Sequence, residues 1–87
     1  MATAAELGLK EGDIVRVGVP VYEKTYYGFK HLGLDKSKAV MARVESVRER
    51  ETEITYLEGC EIENVPWQIN ADERTTIHSR FIGFYPV

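Results

Sequence analysis

The chain of 87 residues is 44% hydrophobic and 29% charged, with a formal net charge of −3. These values suit one small soluble core and exclude a second domain, a disordered chain or a basic packaging protein. No apolar run approaches the roughly 18 residues of a membrane span, and no basic-then-apolar leader opens the sequence. A single cysteine, Cys60, permits no intramolecular disulfide, which points to a reducing, cytoplasmic location, because secreted domains of this size usually carry several bridges.

In chain order, residues 1–9 read as a flexible N-terminal arm and residues 10–87 as one domain. Lys10-Glu11-Gly12-Asp13 is a turn, after which Val15, Val17, Val19 and Val21 alternate with Ile14, Arg16, Gly18 and Pro20. Four β-branched residues at period 2 predict a strand, and Pro20 places its later half on a sheet edge. Residues 22–38 read as a long aromatic loop punctuated by Gly28 and Gly33, with room for a short hairpin around Tyr26–Phe29. From Ala39 to Glu51 two patterns compete. Val40, Ala42 and Val44 alternate as in a strand, whereas Val40, Val44 and Val47, with Asp35 as N-cap, fit a helix at about 36–50. The hairpin reading is preferred, since the strand-like Glu53–Leu57 directly follows the charged, turn-like Arg48–Glu51. Gly59 ends that strand, and Ile62, Val65 and Trp67 are apolar anchors around Pro66. Asn70–Glu73 is a turn, and Thr75–Phe84 is a last alternating strand bent at Gly83. The expected fold is all-β, a barrel of five to six short strands with a long aromatic loop; the alternative is α+β with the 36–50 helix.

The layout resembles a small β-barrel of the Src-homology (SH3-like) type, and among these a Tudor-like module. The residues that carry the resemblance are Lys10–Val17, Ala39–Val47 and Thr52–Gly59: a Gly-Asp turn opening the first strand, then a valine-rich hairpin closed by glycine. Tudor-like modules bind methylated lysine or arginine in an aromatic cage. Of the cage positions only Tyr56 matches, and Glu58 stands where an aromatic beside the closing glycine is usual.

Charge is divided along the chain. Arg16, Lys24, Lys30, Lys36, Lys38 and Arg43 face only Glu23 and Asp35, a net +4 over 16–43. Residues 45–63 hold seven glutamates against Arg48 and Arg50, a net −5. Such asymmetry orients a charged partner and weakens with salt.

The strongest functional feature is the aromatic–basic segment. Tyr22, Tyr26, Tyr27 and Phe29 are interleaved with Lys30 and His31, followed by Lys36 and Lys38. Rigid rings supply contact area at low entropy cost, and cations orient the partner. Trp67 reads as core or as a second anchor. Catalysis finds no support: His31 and His78 lack metal-ligand spacing, no serine sits in a glycine-flanked elbow, and no phosphate loop or cofactor motif occurs. The expectation is a non-catalytic protein-interaction module or accessory subunit, binding a protein with an acidic surface through Tyr22, Tyr26, Tyr27, Phe29, Lys30, His31, Lys36, Lys38 and Trp67. Two alternatives remain open. One is a single-stranded nucleic-acid-binding barrel using the same rings. The other is a self-associating structural protein of phage or plasmid type, a homo-oligomer paired through edges near Pro20 and Phe81–Val87.

Overall fold

The computed structural model describes residues 2–87, the Lys36 side chain excepted. The strands are β1 (Ile14–Thr25), β2 (Gly28–Val47), β3 (Glu51–Tyr56), β4 (Cys60–Glu61), β5 (Gln68–Ile69), β6 (Arg74–His78) and β7 (Phe84–Tyr85). Five of them form one antiparallel sheet in the order β6-β3-β2-β1-β7, while β4 and β5 make a separate ribbon. The sheet curls into a half-barrel, and there is no helix among the described residues.

Alternation sets the core. Val15 lies opposite Ala42 and Val17 opposite Val40, Val44 faces Ile54, and Thr52 faces Ile77. Each pair points to the concave face, where Val15, Val17, Ala42, Val44 and Ile54 are fully buried. Removing the valine and isoleucine side chains from water is worth roughly 1.5–3 kcal/mol apiece. Phe84, also fully buried, brings β7 back onto Arg16 and Val17 and closes one end. The buried Thr52 hydroxyl stays satisfied by sharing a hydrogen bond with Ser79 Oγ (3.4 Å).

The preferred hairpin reading of 36–50 holds: the segment is strand up to Val47, and the following turn is closed by the Arg48 N–H donating to Glu51 O (2.9 Å). Two other expectations change. The expected aromatic loop is no loop: β1 runs on to Thr25 and β2 begins at Gly28, so these residues form a hairpin arm. Twelve residues at about 3.3 Å each span roughly 40 Å, in line with the molecule's longest dimension of 38 Å. The expected last strand is divided, because the Phe81 N–H turns back to His78 O (2.9 Å) and Gly83 packs against Leu34. A Cβ on Gly83 would lie 2.7 Å from Leu34 Cβ, and one on Gly18 would lie 2.8 Å from Asp35 O, so both positions need a bare backbone.

The N-terminal residues fold onto the sheet end. Thr3 and Glu6 exchange reciprocal side-chain-to-backbone bonds of 3.2 Å, a capping-box arrangement, and Ala4 is fully buried. Ala2 covers the outer edge of β7 through Ala2 N–H to Phe84 O (3.1 Å) and Phe84 N–H to Ala2 O (3.0 Å). Along β1 the outward-facing backbone positions are Gly18, which donates to Gly83 O (2.8 Å), then Pro20, then Tyr22. Pro20 thus sits where an N–H would project from the edge, as the sequence suggests.

Candidate functional site

The arm is built by register. Tyr22 lies opposite His31 and Lys24 opposite Phe29 on one face, and Glu23 opposite Lys30 on the other. Because the Tyr22 backbone groups point away from β2, Tyr22–His31 is a non-hydrogen-bonded pair, the kind that brings side chains closest. Their rings meet edge to face at 5.2 Å. Nearer the body, Val19 pairs with Asp35 directly after Gly18 has paired with Ala39, which sets residues 36–38 outside the ladder. Asp35 stabilises that excursion by accepting the Ser37 N–H and hydroxyl (2.8 Å each), bonds that hold its carboxyl below the ordinary value.

At the tip stand Tyr26 and Tyr27, each 94% exposed, their rings packed edge to face on each other at 5.0 Å. Neither adopts a positive φ; the backbone reversal is taken by Gly28 at φ +137°. The second wall of the arm comes from the segment between β4 and β5. Asn64, in a left-handed conformation at φ +67°, donates its side-chain amide to Tyr22 O (3.4 Å). Trp67 then reaches Tyr22 at 5.3 Å and Phe29 at 5.2 Å, both edge to face. On the other side His31 stacks on Phe81 (5.3 Å, 20° between planes), and Phe81 lies 6.0 Å from His78. A ribbon of six rings therefore runs Phe29–Trp67–Tyr22–His31–Phe81–His78. It bridges arm and body by side chains where no backbone ladder does.

Behind the ribbon opens a cleft of about 270 Å³. Its walls are Pro20, Tyr22, His31 and Leu34 from the arm, Tyr56 from β3, residues 75–78 of β6, and Phe81. Burial against these rings holds the His31 imidazole below its ordinary pKa, which favours the neutral ring. Burial, with Glu73 nearby, pushes the Tyr56 phenol up to about 12. Neither a carboxylate nor an ammonium group lines the cleft. The site offers flat apolar surfaces, hydroxyls and imidazole rings, that of His31 favoured in its neutral form, which suit contact with an uncharged group.

The structure brings together Tyr22, Phe29, His31 and Trp67 from the nine residues expected to bind a partner. Tyr26 and Tyr27 stand apart at the tip. Trp67 is 43% exposed and Phe29 40%, so both are part wall and part surface. Lys30 points to the opposite face of the arm from the rings, and Lys38 is paired with Glu63 Oε1 at 3.0 Å. The Lys36 side chain lies outside the described residues. Sequence reasoning missed Phe81 and His78 as site residues; the only hint was the aromatic surplus near the C-terminus. Tyr56, the cage candidate, is only 2% exposed and belongs to the core. The segregated charge of the sequence is also partly cancelled in space. Besides Lys38–Glu63, Glu45 takes Arg43 at 2.9 Å and Arg74 at 3.3 Å and accepts the Thr55 hydroxyl (2.9 Å). Arg43 and Thr55 hydrogen bonds hold the Glu45 carboxyl below its ordinary value, Thr55 most strongly. Among the described residues no three His, Cys, Asp or Glu side chains gather as metal ligands.

No protein family, curated protein or solved structure matches this chain.

Proposed function

We propose that this protein is a non-catalytic interaction module, a small barrel of the SH3-like type that presents its hairpin arm to another protein. The observation that carries the reading is the Tyr26–Tyr27 pair, 94% exposed at the end of an arm braced by packed rings. Two large rings held in water have a cost that a contact surface explains, since Tyr is enriched where interfaces concentrate their energy. The SH3-like reading is supported by the meander of β1, β2 and β3 and by the return of the last strand to the first. Methyl-lysine recognition is not part of the proposal, because Tyr56 is core and the ribbon rings pack on one another.

Lys24 and Lys30, which form no ion pair among the described residues, flank the tip and give an acidic partner its orientation. A nucleic acid is the less suitable ligand, because Lys38, Arg43 and Arg74 are already matched by glutamates. The unpaired Cys60 supports a cytoplasmic setting. The test is quantitative capture of partners from the native cell with the wild-type protein and with the double variant Tyr26→Ala/Tyr27→Ala. The expected result is loss of the specific partner with the fold intact. Unchanged capture by the folded double variant would refute the proposal.

A further inference from the structure

The edges of the sheet are unequally protected. Ala2 covers β7, Pro20 and Asn64 blunt β1, and Lys30 and Lys38 belong to the outer strand of the arm. The remaining edge is β6, which pairs with β3 on one side only. Two bonds fix the phase of its backbone: Ser79 N–H to Arg50 O (3.0 Å) and Tyr56 N–H to Glu73 O (2.9 Å). The odd-numbered positions 73–79 therefore turn their groups toward β3, and Arg74, Thr76 and His78 turn theirs away. Of these outward groups His78 O is engaged by Phe81 N–H (2.9 Å). Among the described residues, the outward backbone groups of Arg74 and Thr76 and the His78 N–H have no hydrogen-bond partner. The strand Arg-Thr-Thr-Ile-His holds no proline, lysine or bulge, and it forms one wall of the cleft.

We infer that β6 pairs antiparallel with β6 of a second copy, about a twofold axis at Thr76. In that register Thr76 faces Thr76 and Arg74 faces His78, so every outward-directed residue meets another. A slip of one residue would set outward groups against groups already bonded to β3, and a slip of two shortens the ladder. The inner-face residues Thr75 and Ile77 then lie opposite each other, a β-branched pair repeated on both sides of the axis. Charge does not oppose the match. The Arg74 guanidinium is held by Glu45 (3.3 Å) and Glu53 (3.5 Å), and no carboxylate, ammonium or guanidinium group lines the cleft. A ladder this short is small beside the roughly 800 Å² per partner of a stable complex, so the dimer is weak and populates at roughly 0.1–1 mM. The surface is separate from the hairpin tip and does not rest on the function proposed for it.

The experiment is sedimentation equilibrium of the full chain up to about 1 mM, with Thr76→Pro and Thr76→Val. Proline removes an N–H that faces the second copy and none that faces β3, so the fold is expected to survive and the dimer dissociation constant to rise at least tenfold. Valine keeps the backbone and keeps the dimer. A monomer at every concentration overturns the inference, as does a dimer that folded Thr76→Pro leaves unchanged. A dimer lost instead in Tyr26→Ala/Tyr27→Ala would put the contact at the tip and overturn it equally. Should Thr76→Pro fail to fold, amide exchange on the wild type decides. The Arg74, Thr76 and His78 amides must slow with rising concentration, and exchange independent of concentration refutes the pairing.

Discussion

Truncating the rings of the arm one region at a time separates contact surface from architecture. Tyr26 and Tyr27 are 94% exposed, so each covers only about one-twentieth of the roughly 200 Å² that an aromatic side chain can bury. At about 25 cal/mol per Å² this is about 0.3 kcal/mol per ring. Their mutual edge-to-face contact adds about 0.5 kcal/mol at so exposed a site. The double alanine variant should therefore lose about 1 kcal/mol, a melting temperature drop of roughly 4–8 °C in a domain of this size. Phe29 is only 40% exposed and packs on Trp67. It covers about 120 Å², an upper value of about 3 kcal/mol, so Phe29→Ala should cost about 2–3 kcal/mol and lower the melting temperature by roughly 10–20 °C. Differential scanning calorimetry on the three proteins gives the comparison directly. If the tip variant melts as early as Phe29→Ala, the tyrosines are packed against something, and the reasoning that leaves them free for a partner fails.

Two further outcomes follow from the packing. Gly83→Ala should destabilise by about 1–3 kcal/mol, because its methyl would meet Leu34 Cβ at 2.7 Å and Leu34 is hemmed on its other side by Gly18; a denaturant midpoint equal to the wild type would show that the junction gives way freely. Since burial holds His31 below its ordinary pKa, the folded state binds its proton less readily than the unfolded chain. Stability should thus fall as pH drops through about 6.5 and level off below the folded-state value. His31→Phe keeps a ring on Phe81 without the titration and should flatten that slope between pH 8 and 5; parallel urea-midpoint profiles for the two proteins would count against this assignment.

The central hairpins could be read from the chain because their rule is local. Val15, Val17 and Val19 in β1, Val40, Ala42 and Val44 in β2, and Ile54 and Tyr56 in β3 alternate at period 2 and are all buried. The arm could not be read in this way. Its strands mix rings and charges on both faces, Tyr-Tyr carries no turn signature, and what braces it are Trp67 and Phe81, distant in sequence. The division of the last strand likewise depends on Leu34 reaching Gly83, a contact with no local trace. For the candidate site, composition alone drew attention to Tyr22, Tyr26, Tyr27, Phe29 and Trp67. The β6 edge escaped notice because whether a strand is outermost depends on its neighbours, not on its own residues. Charge along the chain misled for the same reason: Lys38 and Glu63 are far apart in sequence and 3.0 Å apart in space.

The way Leu34 fits between Gly18 and Gly83 has a mechanical consequence. The root of the arm is keyed into the junction that carries β7, so the arm is not a flap hung from the barrel. A pull applied at Tyr26 and Tyr27 along the strands passes through β1 and β2 into their ladders with β7 and β3, which run parallel to the force. Ladders loaded in shear give way only when many hydrogen bonds break together, whereas an unzipping geometry takes them one by one. A partner gripping the tip would thus hold the whole sheet, and the arm would transmit tension to the body.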